Sequence, residues 1–266
     1  MNAEAVYVPD GDFYMSTGLA NAGWYEEGQH GGAITALITG HVEKVPTLTP
    51  MEIARVSVEL FRVVPLIPLR VETRVVREGK RIQTVLAEVT GPDGTLLASA
   101  TVQRLRVADR PVPDEARTPS TTLAPPELCR PVDTRTWGHG ASAKPMFHRN
   151  AIEVREIHGT FGESGPGAIW VRLAAQVVAG EQPTPAQRAV VVADFCNGVA
   201  SRMGQGWVFM NSDLTVHIGR VPQGEWVALD ADAMYHDRGR GVAWGSLWDE
   251  TAWVGRSAQT LFLDHS

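Results

Sequence analysis

Cysteine is scarce. The 266 residues include two, Cys129 and Cys196, far apart and outside any C-x-x-C spacing, so a disulfide framework, a dithiol redox pair and a cysteine-ligated zinc site all lack a basis. Positive charge is also thin: 24 Lys and Arg against 30 Asp and Glu leave a net charge of −6, with no basic block. Nucleic acid is therefore excluded as a partner, because binding it requires a surface that neutralises phosphates. Nowhere do about 18 apolar residues run uninterrupted, and the opening MNAEAVYVPDG has no basic stretch followed by an apolar one. The expectation is a cytoplasmic protein with no membrane partner. No Gly-x-Ser-x-Gly elbow occurs, which removes serine-hydrolase chemistry. His139, His148, His158, His236 and His265 show no ligand spacing such as H-x-x-x-H, so no metal site is expected.

What is present is ordinary globular material, 44% hydrophobic and 20% charged, long enough at about 150 residues per domain for one large domain or two modest ones. Between Arg110 and Pro145 prolines accumulate at 111, 113, 119, 125, 126 and 131 among Ser, Thr and acidic residues, as in an extended surface connection. It divides the chain into residues 1–110, a linker over 111–145, and residues 146–266. The first part reads as an apolar helix, GGAITALITGHVEK, followed by strands, the last two joined by the hairpin turn Gly91-Pro92-Asp93-Gly94. From Leu69 onward, Leu69, Val71, Thr73 and Val75 share one face while Arg70, Glu72 and Arg74 share the other, as a half-exposed antiparallel sheet requires.

The second part repeats this order. Thr184 and Pro185 form an N-cap and first-turn pair, and Gly204 is a stop for that helix. VSVELFRVVP lies over LTVHIGRVPQ, matching Arg62 to Arg220 at an offset of 158, and ASATVQRL lies over VGRSAQTL, matching Gln103 to Gln259 at an offset of 156. Two matches at nearly one offset indicate an internal duplication of one small α+β unit, a helix wrapped by an antiparallel sheet.

The duplicated helix-and-sheet pattern, Gly28-Gln29-His30-Gly31-Gly32 opening the first helix, Ala193-Asp194 in the second, Asn211-Ser212-Asp213-Leu214-Thr215-Val216-His217 with Arg220 beyond, and Gly255-Arg256-Ser257-Ala258-Gln259-Thr260-Leu261 together resemble the double hotdog thioesterases, more narrowly the acyl-CoA thioesterase II type. The resemblance covers both halves. It implies hydrolysis of acyl-CoA by a water activated through Asp, Thr and Gln, no cofactor beyond the CoA of the substrate, and association of such chains as a homodimer. By position Asp194 and Gln259 take the Asp and Gln places. The family's Thr-x-Asp stands here as Asn211-Ser212-Asp213, so Asn211 takes the Thr position unless Ser212 supplies a hydroxyl after a one-residue shift.

These residue types suit the chemistry. Thioester hydrolysis needs a positioned water, a carboxylate to orient it or take its proton, and donors aimed at the developing oxyanion. Asp194 sits in the apolar segment VVVADFCNGVA, where an unbonded carboxylate is costly. Gln259 can accept from the water while donating to Asp194, Asn211 completes the water's bonds, and backbone N–H groups at a helix start supply oxyanion donors. His30, Gly31 and Gly32 are expected to line the substrate site, Trp24 to wall the acyl chain, and Thr215 to neighbour Asn211, since strand alternation puts Asn211, Asp213 and Thr215 on one face. Aligning the halves places His30 where the second half has Asp194. His217 and Arg220 are either a strand-face pair or contacts to the CoA phosphates. The rival expectation is a non-catalytic acyl-CoA or lipid-binding hotdog protein. An enoyl-CoA hydratase would need a closely spaced Asp and His, which is not found beside Asp194.

Overall fold

A computed structural model describes residues 5–23, 28–137, 144–159, 164–204 and 206–265. The first half contains β1 (Ala5–Asp10), β2 (Phe13–Ser16), α1 (Gly31–Glu43), β3 (Met51–Leu60), β4 (Arg70–Arg77), β5 (Ile82–Thr90) and β6 (Leu96–Arg106). The second contains β7 (Arg130–Pro131), β8 (Ile152–His158), β9 (Gly167–Leu173), β10 (Gln176–Val178), α2 (Pro185–Ala193), the one-turn α3 (Cys196–Val199), β11 (Trp207–Asn211), β12 (Asp213–Ile218), β13 (Trp226–His236), β14 (Arg240–Trp248) and β15 (Trp253–His265). Among the described residues one sheet of 12 strands runs β4-β5-β6-β3-β12-β15-β14-β13-β9-β8-β7, with β11 also paired to β15. This is the double hotdog: each half wraps its sheet around a helix, and β3 and β12 join the halves edge to edge. No described helix is long and apolar enough to cross a membrane.

The join shows the duplication directly. Ser57 on β3 pairs with Thr215 on β12, and their hydroxyls meet at 2.8 Å. These two residues are aligned by the 158-residue offset, so an approximate two-fold axis passes between them. The same pairing corrects the second match. Ser57 faces Thr101 across β3 and β6, and Thr215 faces Ala258 across β12 and β15, so the partner of Gln259 in the first half is buried Val102, not Gln103. A one-residue slip exchanges the two faces of a strand, and Gln103 lies on the outer one.

Both helices are buried between the sheet halves because they are apolar on nearly every side. In α1, Ala33, Ile34, Ala36, Leu37, Ile38 and Val42 are all within the core. The helix α2 starts as expected: Thr184 accepts from the Gln187 N–H, the Gln187 side chain accepts from the Thr184 N–H, and Pro185 occupies the first turn. The Gln187 amide also donates to the Ala36 carbonyl of α1 at 3.0 Å, and the Thr184 hydroxyl donates to Glu43 at 2.7 Å. The start of each helix therefore lies against the end of the other. The expected run to Gly204 is not made, since α2 ends at Ala193 with Asp194 as its C-cap. The reason is a tertiary contact: the Asp194 carbonyl, which would accept the next helical N–H, accepts instead from the Gln259 amide at 3.1 Å.

The proline-rich connection straps the outer face of the second half. Leu123 and Cys129 pack with Trp170 and Ala228, and the Trp170 indole donates to the Ala124 carbonyl at 2.9 Å.

The turn between β14 and β15 is pinned by Asp249. Its side chain is fully buried against Arg220 at 2.6 Å and accepts from the N–H groups of Gln223, Thr251 and Ala252 and from the Thr251 hydroxyl. Burial works against the charge, but these donors together hold the carboxyl at about 2. Because this is below the unfolded value, its stabilisation is present above about pH 4 and is lost as pH falls toward 2. Asp249→Asn is accordingly expected to cost about 2 kcal/mol at neutral pH. Urea unfolding across the pH range should show the variant's stability falling less steeply than the parent's between about pH 4 and 2.

Candidate active site

The junction of the two helices gathers the site. His30 is the N-cap of α1, fixed by its own N–H to the Ala20 carbonyl and by the neighbouring Gln29 N–H to the Val64 carbonyl. It faces Asp194 at the end of α2, with Nδ1 2.9 Å from Asp194 Oδ2. The Gly32 N–H donates to the same oxygen at 2.5 Å. It also lies 3.1 Å from His30 Nδ1, and the two contacts compete. A bare Nδ1 lone pair facing a carboxylate would be repelled, and the carboxylate is the closer and stronger acceptor. We therefore assign the proton to His30 Nδ1, so that both groups donate to Oδ2. Asp194 Oδ1 accepts from the Asn211 amide at 3.0 Å and from the Gln259 amide at 3.1 Å.

Four donors thus converge on one carboxylate whose side chain is 5% exposed, at the positive end of the α1 dipole. Gly31 makes this approach possible. A Cβ there would stand 2.9 and 3.0 Å from the two carboxylate oxygens.

Asn211, Gln259 and Asp194 are brought together. Gln259 is buried behind the carboxylate, donates to it as expected, and its carbonyl end accepts from the Asn197 N–H at 3.2 Å. Thr215 is not at the site. Between β11 and β12 the chain carries one extra residue: Asn211 opposes Leu261, while four residues on Thr215 opposes Ala258, three residues back. This bulge puts Asn211 on the inner face and Thr215 on the outer, breaking the assumed alternation. It is closed by the Ser212 N–H to the Thr260 carbonyl and the Thr260 N–H to Asp213 Oδ1 at 2.7 Å. The equation of His30 with Asp194 is likewise corrected: His30 starts its helix and Asp194 ends its own, so Thr184, the other N-cap, is the counterpart of His30. Arg220 is held by Asp249 and the carbonyls of Ala252 and Trp253, a structural role.

A cavity of about 860 Å³ opens over the cluster, with His30, Gly31, Asp194 and Asn211 on its floor. Its walls are largely apolar and come from both halves: Ile34 and Leu60 from the first, Phe195, Met203 and Phe209 from the second, with Trp137 from the connecting segment. His30 stacks between Phe147 at 4.8 Å and Phe195 at 4.9 Å. Beside it, burial above all pushes the His148 imidazole down to about 4, which keeps it neutral near pH 7. Cys196 also lies close, its thiol 3.0 Å from the Ser257 hydroxyl. Burial pushes that thiol up to about 12, so it is not a nucleophile. Trp24, expected in the acyl wall, lies outside the described residues. The sequence reading missed Asn197, which ties Gln259 to the Phe209 carbonyl. Its signal was its place three residues after Asp194, one helical turn on.

A helix pair enclosed by a duplicated antiparallel sheet, with a buried carboxylate between the helix ends, defines a double hotdog protein with one candidate centre among the described residues. The chain belongs to the acyl-CoA thioesterase family: residues 21–105 match the acyl-CoA thioesterase N-terminal domain and residues 126–263 the C-terminal domain. None of the curated proteins matches the sequence. Among solved structures it is similar to a hot dog fold protein of unknown function from Alicyclobacillus acidocaldarius (15% identity, 98% of this chain and 96% of that one, TM-score 0.74). It is also similar to a candidate thioesterase II from Thermobifida fusca (16%, 99% and 95%, 0.73), and to the acyl-CoA thioesterase II TesB2 from Mycobacterium marinum (12%, 97% and 94%, 0.66). At such identities these structures establish the fold.

Proposed function

We propose that the protein hydrolyses acyl-CoA thioesters to the free acid and CoA, with Asp194 activating the water. The observation that carries this reading is the four-donor carboxylate on the floor of an apolar cavity. With its amide N–H₂ turned to Asp194, Asn211 keeps Oδ1 without a donor among the described residues, available to accept one hydrogen of a water whose other hydrogen points to Asp194. Water oxygen attacks the thioester carbonyl carbon as its proton moves toward the carboxylate. The oxyanion forms beside the Gly31 N–H, which has no partner among the described residues and lies at the start of α1. Collapse breaks the C–S bond, and the proton held at Asp194 passes to the departing thiolate. Gln259 and Gly32 hold the carboxylate in place. The reading includes the cytoplasmic location and homodimer that were expected from the sequence.

One observation favours a second choice of base. With Nδ1–H committed to Asp194, His30 presents Nε2, which has no partner among the described residues, at the cavity floor. His30→Gln decides: a loss of about 10²-fold or more in kcat marks His30 as the base, and a loss of about tenfold marks it as a positioning donor.

The test of the overall reading is release of free thiol from short, long, branched and aromatic acyl-CoAs. Turnover peaking at one acyl length is expected. Saturable acyl-CoA binding with no thiol release would favour the non-catalytic binding protein instead.

A further inference from the structure

The duplication supplies an internal control for each arginine of the repeat. Arg62 and Arg220 are counterparts: each stands five residues beyond its member of the Ser57–Thr215 pair that marks the two-fold axis. The residue before each, Phe61 or Gly219, donates its N–H to the carbonyl of a matching residue, Leu97 or Val254. The turns beside them are counterparts too. Asp249 accepts from the Thr251 N–H and hydroxyl, and Asp93 accepts from the Thr95 N–H and hydroxyl in the same way.

The two copies then diverge. Arg220 closes on Asp249 at 2.6 Å and on two carbonyls, which uses its guanidinium for structure. Arg62 makes no direct hydrogen bond or ion pair among the described residues; the carboxyl of Asp93, the counterpart of Asp249, is lowered first by its bonds from Thr95 and only then by the Arg62 charge, which is near it but not in contact with it. Its side chain is exposed and lines the same cavity as Asp194 and Asn211. It is anchored near them, because the Leu60 N–H, two residues before it, donates to the Ser212 carbonyl in the bulge that carries Asn211. The other arginine of that cavity, Arg202, is taken by Asp232 and the Ala233 carbonyl. The cavity is otherwise largely apolar and its floor carries the carboxylate, so an exposed guanidinium that is not closed on its neighbouring carboxylate is set for an anionic group of the bound molecule. A hydrocarbon acyl chain has none, whereas the thiol carrier has phosphates.

We infer that Arg62 binds a phosphate of the thiol carrier and so sets preference for phosphate-bearing thioesters over bare ones. The inference rests on the hydrolase reading for its substrate. The phosphate can belong to the nucleotide end of CoA or to the phosphodiester of a carrier protein's phosphopantetheine arm. Both offer the same bidentate target to a guanidinium.

Kinetics of the parent protein, of Arg62→Ala and of Arg62→Lys should be compared on one acyl group carried by CoA, by 4′-phosphopantetheine and by phosphate-free pantetheine. For Arg62→Ala we expect KM for acyl-CoA to rise by about tenfold with kcat nearly unchanged. The acyl-pantetheine constants should not move, and Arg62→Lys should recover part of the loss. A matching rise with acyl-phosphopantetheine places the contact on the pantetheine phosphate, while a rise confined to CoA places it on the nucleotide phosphates. Equal changes on all three thioesters, or no change on any, overturn the inference. Calorimetric binding of free CoA gives a readout without turnover. Weakened CoA binding by Arg62→Ala in a protein that releases no thiol would sustain the phosphate contact while removing the hydrolase reading.

Discussion

Asp194→Asn is expected to lower kcat for thioester hydrolysis by about 10²-fold or more in a protein that still folds. The carboxylate has two oxygens and four donors: Gly32 N–H and His30 on Oδ2, Asn211 and Gln259 on Oδ1. An amide can satisfy only one of these pairs, and its N–H₂ must confront the other, so the substitution removes the proton acceptor and also disturbs the donors around it. Leaving a buried donor pair unmet costs about 1–3 kcal/mol, which should appear as a lowered melting temperature of an otherwise cooperative transition. Thiol release and a thermal melt on the same preparation separate the two effects. A folded variant that retains parental turnover would remove Asp194 from the chemistry.

Gly31→Ala should be almost as damaging, although it adds one methyl group. Its Cβ would lie 2.9 and 3.0 Å from the Asp194 oxygens and 3.2 Å from the carboxyl carbon. The carboxylate cannot retreat without stretching bonds to four donors that sit on α1, β11 and β15. Misplacement of a reacting group by about 1 Å can cost about 10² in rate, and a kcat loss of that order is the expected result, measured by thiol release at saturating acyl-CoA. A kcat within about twofold of the parent would show that carboxylate position does not govern the rate.

The parts of this architecture that were legible in the sequence are those set by local chemistry. The Thr184-Pro185 helix start, the turn at Gly91–Gly94 and the alternation on the first half of β4 all follow from neighbours in the chain, and structure bears them out, whereas Val75, expected on the inner face, is exposed near the irregular end of the strand. The duplication was legible as well, in VSVELFRVVP and LTVHIGRVPQ, but not that these two strands form the join. What escaped were features that depend on contacts between distant segments. The end of α2 is set by Gln259 taking a carbonyl 65 residues away, and no helix stop signal at Asp194 marks it. The bulge at Ser212 falls in the polar run Asn211-Ser212-Asp213, where no apolar residue marks the inner face, so Thr215 was assigned to the wrong face. His30 was matched to Asp194 by aligning the two halves. Their true relation is contact across antiparallel helices, which a linear alignment of repeats cannot express. The proline-rich segment read as a mere connection because the ring that it covers, Trp170, lies far along the chain.

The central claim is that water, activated at Asp194, attacks the thioester directly. Single-turnover hydrolysis of an acyl-CoA in ¹⁸O-labelled water, with enzyme in excess, tests this most directly. The account predicts product acid carrying one ¹⁸O atom, with protein of unchanged mass and no acyl adduct on rapid quenching. Unlabelled acid in the first turnover, with the label retained on Asp194, would show that the carboxylate itself attacks the acyl group and would contradict the account.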